Sequence, residues 1–217
     1  MKYPYAVFDL DGTLLDSMPA WQDLGSRYLR SKKISPPENL GQILGGLTLE
    51  EAAAYFKQAF GVSGTVPEIV EEAYGLMRLE YEKEIPSKPG VRIFLERMRE
   101  SGVKMCVATA SNASLAASAL KRLGLYEYFA FILDCEESGS GKNSPAIYDQ
   151  AAGRLGGSRE NTLVFEDALH AIVTVREAGY YVIGVSDPAQ KEKEEAIREL
   201  SHYYLVDYET AEPVWEA

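Results

Sequence analysis

The chain has 217 residues, 46% of them apolar and 25% charged, an ordinary composition for a globular protein with room for a real core in one domain or two small ones. A net charge of −11 argues against nucleic acid or an anionic membrane surface as the main partner, so an anionic small molecule would need a local cation. No stretch is long enough to span a membrane, Asp9 and Asp11 interrupt any secretory apolar region at once, and both cysteines, Cys106 and Cys135, sit in apolar runs, so a cytoplasmic protein with reduced, buried thiols is expected.

The first element is a short strand over residues 5–9 (YAVFD), followed by Leu10-Asp11-Gly12-Thr13. Residues 16–86 contain no convincing strand. A helix is expected over 18–31, with Met18, Trp21, Leu24, Tyr28 and Leu29 on or near one side. A second starts at Thr48, where Glu51 completes a capping box, and carries Leu49, Ala52, Ala53, Phe56 and Phe60. A third starts at Pro67 and carries Val70, Ala73, Met77 and Tyr81. Pro86, Ser87 and Pro89 mark the end of this block.

From there strand-like and helix-like stretches alternate. Strands are expected at 103–109, 130–134, 162–166, 181–185 and 203–206, and helices at about 90–101, 112–123, 145–155, 168–178 and 189–200. Strands separated by helices imply crossover connections and a parallel sheet covered on both faces. The expected fold is α/β: a Rossmann-like parallel-sheet core formed by residues 1–15 and 87–217, interrupted by an all-helical second domain at 16–86.

In such sheets ligands bind at the carboxyl ends of the strands, so the polar residues there carry the chemistry. The first strand ends in Asp9 and Asp11, two residues apart and therefore on one face. Two such carboxylates repel unless a divalent cation sits near them, or unless one acts as nucleophile while its neighbour handles protons. The second strand ends in Thr109-Ala110-Ser111-Asn112, before a helix that Ser111 or Asn112 would cap. Lys142 follows a Ser/Gly-rich loop, and Glu166-Asp167 ends the fourth strand. Taken singly, these are turn residues, a solvated lysine and an acidic helix start favoured by the dipole. Their occurrence together, at successive strand ends, is what points to a site.

The order of these groups resembles the haloacid dehalogenase superfamily, mostly phosphatases that use an aspartyl-phosphate intermediate. Asp9-Leu10-Asp11-Gly12-Thr13 is similar to its first motif, Thr109 to the second, Lys142 in Lys-Asn-Ser-Pro-Ala-Ile-Tyr to the third, and Glu166-Asp167 to the acidic fourth. The insert resembles the helical cap of the subfamily that includes β-phosphoglucomutase and phosphoglycolate phosphatase. The resemblance implies Asp9 as nucleophile, Asp11 as acid-base, and Mg²⁺ held by Asp9, Asp11 (through its backbone carbonyl) and Asp167, with Glu166 direct or through water. It implies phosphate binding by Thr109, by Lys142 and by backbone N–H groups near Ala110. The implied ligand is a small phosphorylated metabolite, and a monomer is the default expectation.

The cap departs from the mutase pattern. By position Trp21 stands where a histidine is expected, and Leu49 where an arginine would meet a second phosphate. Trp21 is also readable as plain cap core. The expectation is a Mg²⁺-dependent phosphatase. A sugar phosphomutase is the alternative on the same scaffold, and a non-catalytic binding protein is a third reading. A 2-haloacid dehalogenase would need neither Asp11 nor Mg²⁺.

Overall fold

A computed structural model describes residues 2–45 and 47–214; the ends of the expected core at residues 1 and 215–217 lie outside the described residues. The chain divides into two units, Met1–Ser17 with Ile85–Ala217, and Met18–Glu84.

The first unit is built on a six-stranded sheet: β1 (Tyr5–Phe8), β2 (Lys104–Thr109), β3 (Phe129–Asp134), β4 (Thr162–Glu166), β5 (Tyr181–Val185) and β6 (Tyr203–Leu205). The spatial order is β3-β2-β1-β4-β5-β6, and every pairing is parallel. The apolar runs reflect burial on both faces. Ala6, Val7 and Phe8 are fully buried, and Phe8 stacks on Phe165 at 4.1 Å between ring centroids. Phe94 meets Phe165 edge-on at 5.7 Å. On the opposite face Val7, Cys106, Ala108 and Val164 join Ile147, Tyr148 and Ile172 in one apolar cluster.

The helices of this unit are, in chain order after the insert's four, α5 (Val91–Glu100), α6 (Ala113–Arg122), α7 (Cys135–Ser138), α8 (Ala146–Leu155), α9 (Leu169–Glu177) and α10 (Glu194–Leu200). The helix expected at 189–200 is two elements: a 3₁₀ turn over Pro188–Lys193, started by an Asp187 cap on the Ala189 N–H, and then α10. The short α7 was not expected. Four residues hold too little periodicity to read, and Asp134 caps them by accepting from Glu137 N–H. Cys106 and Cys135 are free thiols, the first buried and the second half-buried.

The register fixes where the strand ends lie. Phe8 pairs with Val107 on one side and with Phe165 on the other, so β1, β2 and β4 finish together. After β1 the chain goes to β2 and β3 on one side, and later to β4 on the other. The boundary of β1 and β4 is therefore a topological switch point, where open α/β sheets form a crevice. The segments leading into and out of the insert pair with each other: Leu15 bridges Ser87, Asp16 N–H donates to the Pro86 carbonyl, and Lys88 N–H to the Leu14 carbonyl.

The second unit is helical: α1 (Met18–Ser31), α2 (Leu40–Leu44), α3 (Leu49–Phe60) and α4 (Val66–Lys83). The Thr48–Glu51 capping box forms as expected. The last helix begins at Val66, one residue before Pro67, because Thr65 and Glu68 make a second capping box. Leu24, Tyr28, Phe56, Ile69, Met77 and Tyr81 are buried, and Tyr28 stacks on Phe56 at 5.5 Å. Among the described residues no helix is long and apolar enough to cross a membrane.

Phe165 carries two ring contacts at the centre of the sheet. Phe165→Ala is expected to destabilise the α/β unit by about 3–5 kcal/mol, read as a lower denaturant midpoint with the same slope. A loss below about 1 kcal/mol would contradict this packing.

Candidate active site

The site forms at the carboxyl ends of β1, β2 and β4. Asp9 follows β1 directly, and its N–H donates to the Phe165 carbonyl at 2.9 Å, which anchors it to β4. Glu166 closes β4 and Asp167 follows. Ligand oxygens of Asp9, Glu166 and Asp167 lie within 4.8 Å of one another. The three side chains are buried, Asp9 at 5% exposure, Glu166 at 1% and Asp167 at 3%. At that spacing each pair of charges would repel by roughly 3–4 kcal/mol at an effective dielectric near 20.

Lys142 offsets part of this. It is itself 8% exposed, and its ammonium donates to Asp9 Oδ1 and, at 2.5 Å, to Glu166 Oε1. Tyr148, one turn into α8, donates its hydroxyl to the same Glu166 oxygen at 2.7 Å. Burial works to lower the Lys142 pKa, but the charges of Asp9 and Glu166 outweigh it and hold the ammonium protonated. One cation against three carboxylates leaves a formal charge of −2. The remainder appears as proton affinity. Burial, reinforced by Asp9, pushes Glu166 up to about 7 against the pull of Lys142. Burial and the charges of Asp9 and Glu166 push Asp167 well above the usual carboxylate range.

These residues can hold a divalent cation. Glu166 Oε2 is buried with no hydrogen-bond partner, and it belongs to a set of hard oxygen donors with two excess negative charges. Gly12 keeps the approach open. Its φ is +83°, and a Cβ there would come within 2.5 Å of Asp167 Oδ2, so no side chain is tolerated. Thr13 donates its hydroxyl to Asp167 Oδ1 at 3.2 Å, and Tyr208 donates to the Thr13 carbonyl at 3.1 Å.

Asp11 stands apart from the triad, although the alternation of a strand would put it beside Asp9. The strand ends at Phe8 and the chain turns, with Leu14 and Leu15 N–H both donating to the Leu10 carbonyl. The Asp11 carboxylate accepts instead from the Ser17 hydroxyl at 2.7 Å and the Ser111 hydroxyl at 2.6 Å. Ser111 thus turns toward Asp11, while Asn112 caps α6 by accepting from Ser114 N–H. Thr109 is fully buried at the end of β2, its oxygen accepting from Ser111 N–H at 3.0 Å, and Ala110 beside it is exposed.

Trp21 belongs to the helical unit. It is half-buried on α1 and donates its indole N–H to Tyr81 Oη at 3.1 Å. Thr13 and Tyr148 stand in the first and third motifs, but their partners, Asp167 and Glu166, cannot be read there. Ser17 and Tyr208 belong to no motif, and each acts through a contact across a turn or distant in sequence.

The chain as a whole is similar to known proteins. The model of the haloacid dehalogenase-like hydrolases matches residues 3–179. A phosphorylated carbohydrates phosphatase from Thermotoga maritima is 25% identical over 173 residues, 80% of each chain. Hexitol phosphatase A from Escherichia coli is 29% identical over 185 residues, 84% of this chain and 83% of that one. Among solved structures, a Thermotoga maritima chain assigned as a β-phosphoglucomutase superposes with a TM-score of 0.81 at 25% identity, over 94% of each chain. On this match the chain belongs to the haloacid dehalogenase-like hydrolase family.

Proposed function

We propose that the chain is a Mg²⁺-dependent phosphatase that hydrolyses a small phosphomonoester through an aspartyl-phosphate at Asp9. The observation that carries this reading is the Lys142 ammonium seated on Asp9 inside a buried acidic triad. The named phosphatase relatives support the reaction class.

Asp9 attacks phosphorus, the bond to the leaving oxygen breaks, and an acyl phosphate forms. Lys142 and the Thr109 hydroxyl, with backbone N–H groups near Ala110, bind the phosphate oxygens. Asp11 gives a proton to the leaving oxygen and later takes one from the attacking water. Its two hydroxyl contacts fix the direction in which it does so. Asp9, Glu166 and Asp167, with the Asp11 carbonyl, would hold Mg²⁺. That ion would supply the charge that lets a phosphate dianion approach a carboxylate. Residues 16–86 are the helical cap domain inserted into the core of residues 1–15 and 87–217, and Trp21 contributes to choosing the leaving group. Hydrolysis is favoured over mutase chemistry because Trp21 and Leu49 stand where a mutase would want polar and cationic groups, so a second phosphate would lack a partner.

Two outcomes are expected. In metal-free protein, folded Glu166 and Asp167 keep protons that the unfolded chain has released above its ordinary carboxylate pKa. The native state therefore binds more protons, and stability falls as pH rises from about 5 to about 7.5. Mg²⁺ should raise the melting temperature more at the upper end of that range than at the lower. Equal metal-induced shifts across the range would contradict the assignment. Asp11→Asn should cost about 10²–10⁴-fold in kcat/KM, which reports transfer to Asp9, on alkyl phosphates and much less on p-nitrophenyl phosphate, whose leaving group needs no proton. Equal losses on both substrates would argue against Asp11 as the acid.

A further inference from the structure

The helices of the second unit leave a cavity of about 650 Å³ between them. Trp21 and Leu24 of α1, Leu44 of α2, Leu49 and Phe56 of α3 and Val70 of α4 form its walls. The cavity is half open to solvent, with Gly41, Leu47 and Thr48 exposed at its wall. Its volume falls in the range of small-molecule pockets, about 300–1,000 Å³.

Its chemistry is hydrocarbon. Among the described residues that line it there is no lysine, arginine, histidine, aspartate or glutamate. The polar side chains on the wall are engaged elsewhere. The Trp21 indole N–H donates to Tyr81 Oη at 3.1 Å, the Tyr28 hydroxyl donates to Glu72 Oε2 at 2.7 Å, and Thr48 Oγ1 accepts from Glu51 N–H at 3.2 Å. Gln22 brings an amide from an exposed position. A polyol entering here would surrender its hydrogen bonds to water with few replacements. An apolar group would gain from leaving water, and apolar cavities of this kind take up such groups.

We infer that the helical unit binds an apolar or aromatic group of a small molecule in this cavity. The group is either the organic part of the substrate, which rests on the phosphatase reading, or a separate small molecule. The wall chemistry is the same for both.

The test uses the full chain, with 2-naphthol as probe in titration calorimetry. Saturable 1:1 binding is expected. Ala52→Phe, which fills the cavity from its α3 wall, should weaken it at least about tenfold. Val70→Thr, which keeps the shape and adds a hydroxyl, should weaken it about three- to tenfold. Thermal melts establish that both variants fold. A second arm compares 2-naphthyl phosphate with glycerol 1-phosphate. If Ala52→Phe raises KM for the naphthyl ester alone, the ligand is the substrate's organic part. If naphthol binding is lost while both KM values hold, the ligand is a separate molecule. Either result supports the cavity as a site. Absence of saturable naphthol binding, or binding unchanged in both folded variants, overturns it. Failure to hydrolyse either ester would count against the phosphatase reading and leave the calorimetric result to decide the cavity.

Discussion

The site depends on one buried ammonium. Lys142 meets Asp9 and Glu166 at the same time, in a place where neither carboxylate has water to screen it. Losing one partner from such a buried set costs about 3–5 kcal/mol, because the remaining charges are stranded. Lys142 is brought there by the loop after β3 and held against the sheet by α8, whose Tyr148 completes the contact with Glu166. The lysine leaves an excess of two negative charges. Burial first, and then that excess, raises the proton affinity of Glu166 and Asp167, and the triad could hold a divalent cation.

The same geometry gives the two aspartates of the first motif different surroundings. Asp9 is clamped, by its backbone to β4 and by its side chain to Lys142. Asp11 is carried off by the turn at Gly12 and is held by neutral hydroxyls from Ser17 and Ser111. The support reaches far along the chain. Tyr208, buried against Phe94, holds the Thr13 carbonyl, and Thr13 in turn touches Asp167.

Much of the core was legible because buried parallel strands read as apolar runs and their polar ends stand out. Phe8 and Phe165, each followed by an acid, are the clearest case. The Thr48–Glu51 box was legible for the same local reason, and the matching Thr65–Glu68 pair was there to be read from two residues ahead of Pro67. The short helices Leu40–Leu44 and Cys135–Ser138 were not, because one turn carries no period. In the site, residue types at strand ends could be read, but partners could not. Ser111 or Asn112 could be read as the cap, and Asn112 is the one that fills it, which leaves Ser111 to Asp11; the contacts of Tyr148 and Tyr208 exist only once the sheet has brought distant segments together.

The claim that the Lys142-clamped Asp9 is the group that receives the phosphoryl is open to direct measurement. Rapid acid quench of a single turnover with a ³²P-labelled phosphomonoester, followed by peptide mapping, should place an acid-stable, hydroxylamine-labile label on Asp9, and Asp9→Asn should carry none. Release of phosphate with no label on the protein, or a label on another residue, would contradict the account.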